Sequence, residues 1–600
     1  MKNINLTVDD NPLSVPEGTT IMKAAETIGV FIPRLCYVPD LGIEGACRIC
    51  IVEVDGYKNY LTACSTKVTE GMKVKTNSPA IRQARRDLIE LILDNHPMDC
   101  QTCERDGNCE LQDLAYSLGV RERLFAGQRK HFEIDDSSFS VVRNSDKCIL
   151  CHRCIRVCSE VQGVTNLGQM HRGVNTVVGP AHLVAMKDSV CINCGQCINV
   201  CPTAAFLEKS ATDEVWAALA DPKKHVVAQI APSIRATIGE GFGEAPGTAE
   251  TGRTVTALRR LGFDAVFDTN FGADLTIVEE SEEFIGRLKH NGVLPGGKKE
   301  EGHLNHPQVL PMFTSCSPGW VSFMEHFYPE MIPHMSSCRS PMSMQSIILK
   351  TFYARKTGID PKDIYVVAIM PCTAKKYEMR RPELCDADGN PHTDAVLTTR
   401  ELVWMIKAYG IDFMQLHEEE FDNPLGSSTG AADIFGTTGG VMEAALRTAA
   451  EKITGKPLDE LNFYNVRAVT GYKEASVEIA GIEVNIAVVN GLNNAKKILE
   501  KVKSGEKEYH LIELMACPGG CIGGGGQPYP ADGRYVLNRE VLEKRAASLY
   551  KIDAEKKIRK SHENPYIQQL YQQFLQHPGS EIAHELLHTT YEPKEPRGIK

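Results

Sequence analysis

No stretch of the 600-residue chain approaches the ~20 uninterrupted apolar residues of a membrane-crossing helix, so a helical membrane protein is not expected. The N-terminus, MKNINLTVDDNPLSVPEGTT, has no cationic start followed by an apolar run; no Sec-type export signal is expected, and the cytoplasm is the default location. Positive charge is in deficit, with 66 Lys and Arg against 77 Asp and Glu and a formal net charge of −11. That balance argues against nucleic acid or an anionic membrane surface as partner, since both bind basic patches. Also missing are a G-x-G-x-x-G after a strand and any flavin fingerprint, so this chain alone is not expected to bind NAD or FMN. At 42% hydrophobic and 24% charged residues it reads as globular protein. It is too long for one core of ~100–200 residues.

Cysteine is abundant, with 21 residues. Without an export signal they are not expected to form disulfides, because reducing compartments keep thiols free, and metal ligation is the better reading. Cys36, Cys47, Cys50 and Cys64 form the first group. Soft thiolates from two loops favour an iron–sulfur cluster or zinc. His96, Cys100, Cys103 and Cys109 follow as H-x3-C-x2-C-x5-C after AIRQARRDLIELILDN, whose apolar spacing is helical. Two C-x2-C-x2-C-x3-C runs come next: Cys148, Cys151, Cys154, Cys158, then Cys191, Cys194, Cys197, Cys201. In two-cluster ferredoxins the fourth cysteine of each run ligates the other cluster, so Cys201 joins Cys148, Cys151 and Cys154, while Cys158 joins Cys191, Cys194 and Cys197. Such a series of clusters is an electron wire, and a wire implies a terminus.

After Pro202 the sequence becomes mixed α/β, and the remaining cysteines are scattered. Three stretches stand out: FTSCSPGW at 313, MPCTAKKYE at 370 and ELMACPGGCIGGGGQP at 513. Together and in this order they resemble the motifs of FeFe (iron-only) hydrogenases, as do AQIAPSIRATIGEGFG, DAVLTTREL, FGTTGGVMEAALR and KSHENP. The first two cysteine groups, with two strands and a helix ahead of Cys36, resemble the N-terminal part of long iron hydrogenases and of the large peripheral subunit of respiratory complex I. In both families the first group carries a 2Fe-2S cluster and the second a 4Fe-4S cluster with one histidine ligand.

The resemblance implies one 2Fe-2S cluster, three 4Fe-4S clusters and an H-cluster, a 4Fe-4S cube sharing one cysteine with a diiron azadithiolate unit that carries CO and cyanide. By motif position Cys372, Cys517 and Cys521 are cube ligands, Cys521 being the bridge. Lys375 donates to a cyanide, and Met370, Met515, Ala231, Pro232, Ser340, Pro341, Phe435 and Gly436 line the pocket. The implied proton relay runs from Cys316 through Glu280 and Ser336 to Glu283. By itself the run VEESEEF would be a solvated helix face, but the i, i+3 spacing of Glu280 and Glu283 also suits a relay.

One position departs from the family. Relatives usually read TSCCP, the second cysteine ligating the cube, and here it is Ser317. Cys338, flanked by Ser336 and Ser340, is the expected replacement thiolate. Rival readings make Cys316 the ligand, with proton delivery left to Ser317 or water, or use oxygen from Ser317.

The expected architecture is multidomain α+β and α/β: a 2Fe-2S ferredoxin (β-grasp) domain at 1–78, a 4Fe-4S domain with one histidine and three cysteine ligands at 79–120, a two-cluster ferredoxin domain at 138–211, a two-lobed α/β H-cluster domain at 222–530 and a helical small-subunit-like segment at 531–600. A polar loop is expected at 296–309. The implied activity is reversible proton reduction to H2 in an anaerobic, cytoplasmic hetero-oligomer. Its partners would be a flavin-bearing NAD(P)-binding subunit, a small 2Fe-2S subunit and ferredoxin, as in electron bifurcation. The alternatives are a stand-alone ferredoxin-dependent enzyme or an H2/redox sensor. An iron–sulfur assembly protein is disfavoured by Lys375, Met370 and Met515, which make sense only beside a diiron unit.

Overall fold

A computed structural model describes residues 2–123, 127, 129–294, 308–423 and 425–595, and the loop expected at 296–309 lies almost wholly outside them. The chain divides into two compact units, Met1–Glu160 with Thr165–Ser189 and Val200–Leu207, and Val161–Val164 with Val190–Asn199 and Glu208–Lys600. The stretch expected as one domain at 138–211 is therefore shared between them. Among the described residues no helix is long and apolar enough to cross a membrane.

In the first unit the strands Asn11–Pro16, Asn3–Val8, Met72–Lys75, Ile51–Val54 and Leu61–Thr62 form one sheet in that order. Asn3–Val8 and Met72–Lys75 run parallel, and the other pairs are antiparallel. Alternate residues Ile4, Leu6 and Val8 are buried, the period-two pattern of a sheet with one covered face. Helix Ile21–Glu26 starts where the Thr20 hydroxyl accepts from the Lys23 amide. Helix Pro79–Asn95 has a serine cap and a proline in its first turn, and delivers His96 at its end.

Two four-stranded sheets build the second unit. The first is fully parallel, in the order Ala265–Asp268, His225–Ile230, Ile364–Met370, Ala395–Thr398. Its central strands, HVVAQI and IYVVAIM, are mostly apolar and buried over most of their length, as cover on both faces requires. The second sheet runs Met312–Phe313, Leu511–Met515, Ile482–Asn490, Tyr472–Ile479, with only the last pair antiparallel. Helix Thr269–His290 is buried over most of its length, carrying Asp274, Glu279, Glu280, Glu283 and Arg287 out of solvent. Buried charges need partners, and Arg235 shows the rule, at 2.7 Å from both Asp268 and Asp433. The C-terminal stretch adds helices Arg539–Glu555, Pro565–Leu570 and Glu581–Leu587.

Candidate active site and metal centres

In open parallel sheets, ligands collect beyond the carboxyl ends of the strands. Here Ala231 and Pro232 follow Ile230, Cys372 follows Met370, Cys316 follows Phe313, and Cys517 follows Met515. All of them line one cavity with about 720 Å³ of atom-free space. Its wall also holds Cys521, Lys375, Met370, Met515, Pro341, Phe435 and Ser317. The lining is predominantly apolar, yet four thiols, the hydroxyls of Thr269 and Ser317 and an ammonium converge on it, a donor set that fits a thiolate-bound iron group. Burial holds the Cys372, Cys517 and Cys521 thiols above their ordinary pKa, Cys521 at about 12.

Glycine gives the chain room to wrap the cavity. A side chain at Gly524 would meet the Pro371 carbonyl oxygen at 2.2 Å, and Gly520 has φ +91°. Lys375 is held at the rim, its Nζ 2.6 Å from Glu378 Oε2 and donating to Ser340 Oγ at 2.7 Å. Ser340 and Gly436, read as pocket residues, are not on the wall. Ser340 caps helix Pro341–Ile348 and steadies Lys375, while Gly436 lets Leu549 and Ser233 pack closely.

The expectation that Cys338 supplies the fourth cube thiolate is corrected. Residues 336–338 wrap the Glu283 carboxylate: Oε2 accepts from Ser336 Oγ at 2.9 Å, Ser337 N at 3.1 Å, Ser337 Oγ at 3.2 Å and Cys338 Sγ at 3.8 Å. Cys338 is fully buried in that network and is absent from the cavity wall. Ser317, at the family's ligand position, does reach the wall. It caps helix Pro318–Phe327 without the usual side-chain bond to the first turn, and its Oγ instead accepts from Ala516 N at 3.3 Å, beside Cys517.

The residues expected to relay protons lie close to one another. Burial, then the Glu283 charge, lifts Glu280 to about 8. Burial works against the charge of Glu283 too, but Arg287, whose Nη2 donates to Glu283 Oε1 at 2.6 Å, and neighbouring donors hold it below the ordinary carboxyl value. Cys316 is raised by burial and by Glu280. A neutral acid and an anion joined through Ser336 can pass a proton. Three of the four VEESEEF glutamates are thus buried, and only Glu282 is partly exposed, which corrects the solvated-face reading. Arg287 and Glu378 were not singled out from sequence, although their i+4 and i+3 spacing from Glu283 and Lys375 is a legible signal.

In the first unit, Cys36 contacts Cys47 and Cys50 contacts Cys64. The hydrogen bond from Cys47 lowers the Cys36 thiol below its ordinary value. His96 is lowered by burial to about 4, hence neutral, and its Nδ1 has no hydrogen-bond partner, as suits a metal-ligating imidazole. Cys103 lies close enough for its charge to raise Cys100 and Cys109, after burial. Cys148, Cys151, Cys154 and Cys201 line a single cavity, the set that the crossed-ligand rule names. Cys158 belongs to the first unit, and Cys191, Cys194 and Cys197 to the second. There the segment docks on the glycine-rich loop, Gln196 Nε2 donating to Gly523 O at 2.9 Å and Asn199 Nδ2 to Gly524 O at 3.1 Å. A Cβ on Gly525 would sit 2.3 Å from Cys194 O.

Comparison with known families agrees with this geometry. The C-terminal domain of the iron only hydrogenase large subunit matches residues 224–525, and the iron hydrogenase small subunit matches 539–594. A 2Fe-2S iron-sulfur cluster binding domain matches 1–79, the NADH-ubiquinone oxidoreductase-G iron-sulfur binding region matches 85–123, and the ferredoxin-like domain of NADH-quinone oxidoreductase subunit 3 matches 139–207. The chain belongs to the FeFe hydrogenases and is a hydrogen oxidoreductase. It is of the long, multi-cluster type. It is 49% identical over 597 residues to NADP-reducing hydrogenase subunit HndD of Solidesulfovibrio fructosivorans, covering 98% of this chain and 99% of that one. Iron hydrogenase 1 of Clostridium pasteurianum is 41% identical over 579 residues, covering 96% and 97%. The solved apo [FeFe]-hydrogenase HydA1 of Chlamydomonas reinhardtii, at 43% identity and TM-score 0.55, covers 64% of this chain and 99% of its own.

Proposed function

We propose that the chain is the catalytic subunit of an NAD(P)-linked, electron-bifurcating hydrogenase of the anaerobic cytoplasm. Its electrons would pass through one 2Fe-2S and three 4Fe-4S clusters to a flavin-bearing NAD(P)-binding subunit, a small 2Fe-2S subunit and ferredoxin. The observation that carries this reading is likeness along nearly the whole chain, N-terminal domains included, to a subunit named for reducing NADP. Further support comes from the match of 85–123 and 139–207 to domains of NADH-oxidising complexes. A second reading, a stand-alone ferredoxin-dependent hydrogenase, draws on the comparable coverage of the Clostridium relative.

An H-cluster in the second-unit cavity would supply the redox chemistry of H2. Cys372, Cys517 and Cys521 would hold it, and the Ser317 oxygen, on the wall where Cys338 is not, would take the fourth cube position. The Lys375 ammonium, fixed by Glu378 and Ser340, would donate to an anionic ligand of that group. Met370, Met515, Pro232 and Phe435 would keep water from the reacting centre. Cys316, beside Glu280 at the wall, would exchange the proton, and Glu280, Ser336 and Glu283 would carry it onward. Infrared bands of CO and cyanide in the matured protein test the cofactor. Purification with native partners, followed by NAD(P)H- and ferredoxin-driven assays, separates the two readings. Ferredoxin activity without any bound partner would favour the second.

A further inference from the structure

The relay carboxylate Glu283 has a neighbour that the reading above leaves unused. Ser337 Oγ, 3.2 Å from Glu283 Oε2, lies 2.7 Å from Nδ1 of His588 on its other side. The opposite ring nitrogen, Nε2, is 3.2 Å from Glu279 Oε2. Glu279 also accepts from the Tyr571 hydroxyl and from the Gly579 amide, the latter at 3.0 Å. His588 is buried, and its ring stacks on that of the half-buried His584, with centroids 4.6 Å apart. The Gly579 turn is partly exposed and follows the exposed residues Gln576 and His577. A line of exchangeable groups thus leads from Glu283 through Ser337 and His588 to the buried carboxyl of Glu279, which the Gly579 amide holds beneath a turn of the C-terminal segment.

We propose that His588 is a positioning residue of the proton relay, giving it a second arm that joins Glu283 through Ser337 and His588 to a second buried carboxyl, Glu279, which stores the proton passed along it. The inference rests on the relay assigned above. Each hop conserves protons. When Ser337 Oγ–H passes its proton to Glu283, the hydroxyl regains one from His588 Nδ1–H, and Nε2 takes the carboxyl proton of Glu279, leaving an ionised Glu279 to which the Tyr571 hydroxyl and the Gly579 amide donate; the reverse sequence returns the proton. An imidazole suits the middle of such an arm because either nitrogen can carry the proton. A purely structural residue would need only the hydrogen bonds and not the exchange of tautomers. The titratable groups around the ring are Glu279 and Glu283 on the buried helix, Cys338 on the wrapping strand, Tyr571, and His584 one turn earlier.

His588→Gln keeps a donor and an acceptor in place but cannot exchange tautomers, and His588→Ala leaves space for added imidazole. Both would be measured as matured full-length enzyme for H2 evolution with an artificial donor, at equal H-cluster content judged from the CO and cyanide bands, in H2O and D2O. The expected result is unchanged bands, a rate at least threefold lower in His588→Gln with a larger solvent isotope effect, and recovery of His588→Ala by imidazole. A His588→Gln enzyme with the parent rate and isotope effect would overturn the second arm. So would loss of the infrared bands in both variants, which would mark the histidine as structural. Glu280→Gln, run alongside, separates the two levels: if it too keeps full activity, the relay reading itself fails.

Discussion

The two units write their chemistry in different ways. In the first, each ligand group comes from short motifs close together in the chain, within 14 residues for His96, Cys100, Cys103 and Cys109 and within 54 for Cys148, Cys151, Cys154 and Cys201. In the second, one cavity draws its wall from residues 231 to 524, carried past the ends of strands in two sheets. A local centre is specified by spacing, whereas an assembled one depends on a scaffold that fixes strand ends from distant parts of the chain.

The contrast can be broken at several points. Glu280→Gln should cost about 10²-fold or more in H2 evolution with the CO and cyanide bands retained, because removing one relay group interrupts proton delivery. Activity within threefold of the parent would sink that expectation. Cys148→Ala should lower the iron content by about four per chain by removing one ligand of a 4Fe-4S cluster. It should abolish turnover with the native partner but spare dye-driven activity, since the catalytic cavity keeps its ligands; iron analysis beside the two assays checks this. Ser317→Cys should make the cube more resistant to chelators, by roughly tenfold in half-life, since thiolate outranks hydroxyl as an iron ligand. Unchanged resistance would mean that residue 317 does not touch the cluster.

Cys338→Ala should be the mildest change, about 1 kcal/mol in stability with the cube spectrum intact, as a small buried side chain is lost from a packed network. Loss of the cube signal would restore Cys338 as a ligand. A pH effect distinguishes the buried relay from surface acids. Glu280 has an ordinary value of 4.5 and about 8 in place, so the folded state binds a proton that the unfolded chain has already released. The stability it contributes is full below pH ~4.5 and is lost as pH rises through about 8. The melting temperature should therefore fall as pH rises from about 4.5 to about 8, and less so in Glu280→Gln.

Much of this was readable beforehand, for identifiable reasons. The strands and helix ahead of Cys36, the helix before His96 and the shared cavity of Cys148, Cys151, Cys154 and Cys201 follow from periodicity and ligand spacing, both local properties. The catalytic wall was accessible only through resemblance, because nothing in the spacing of Ala231, Cys372 and Cys517 relates them. Cys338 shows where inference from neighbours fails. Ser336 and Ser340 flank it, but Ser336 faces Glu283 and Ser340 faces Lys375, and the chain between them curls around the carboxylate. His588 was invisible for the opposite reason: its partners lie 251 and 309 residues away.

The contact of Gly525 with the carbonyl of Cys194 bears on how such an enzyme can vary. A methyl group there would push the last ligand segment off the glycine loop, so the join between conductor and reactor tolerates no padding. The piece bearing Cys191, Cys194 and Cys197 is bound to the catalytic body by its own bare backbone, so any rearrangement upstream must still deliver Cys158, the fourth thiolate expected at that cluster, to keep a working inlet for electrons.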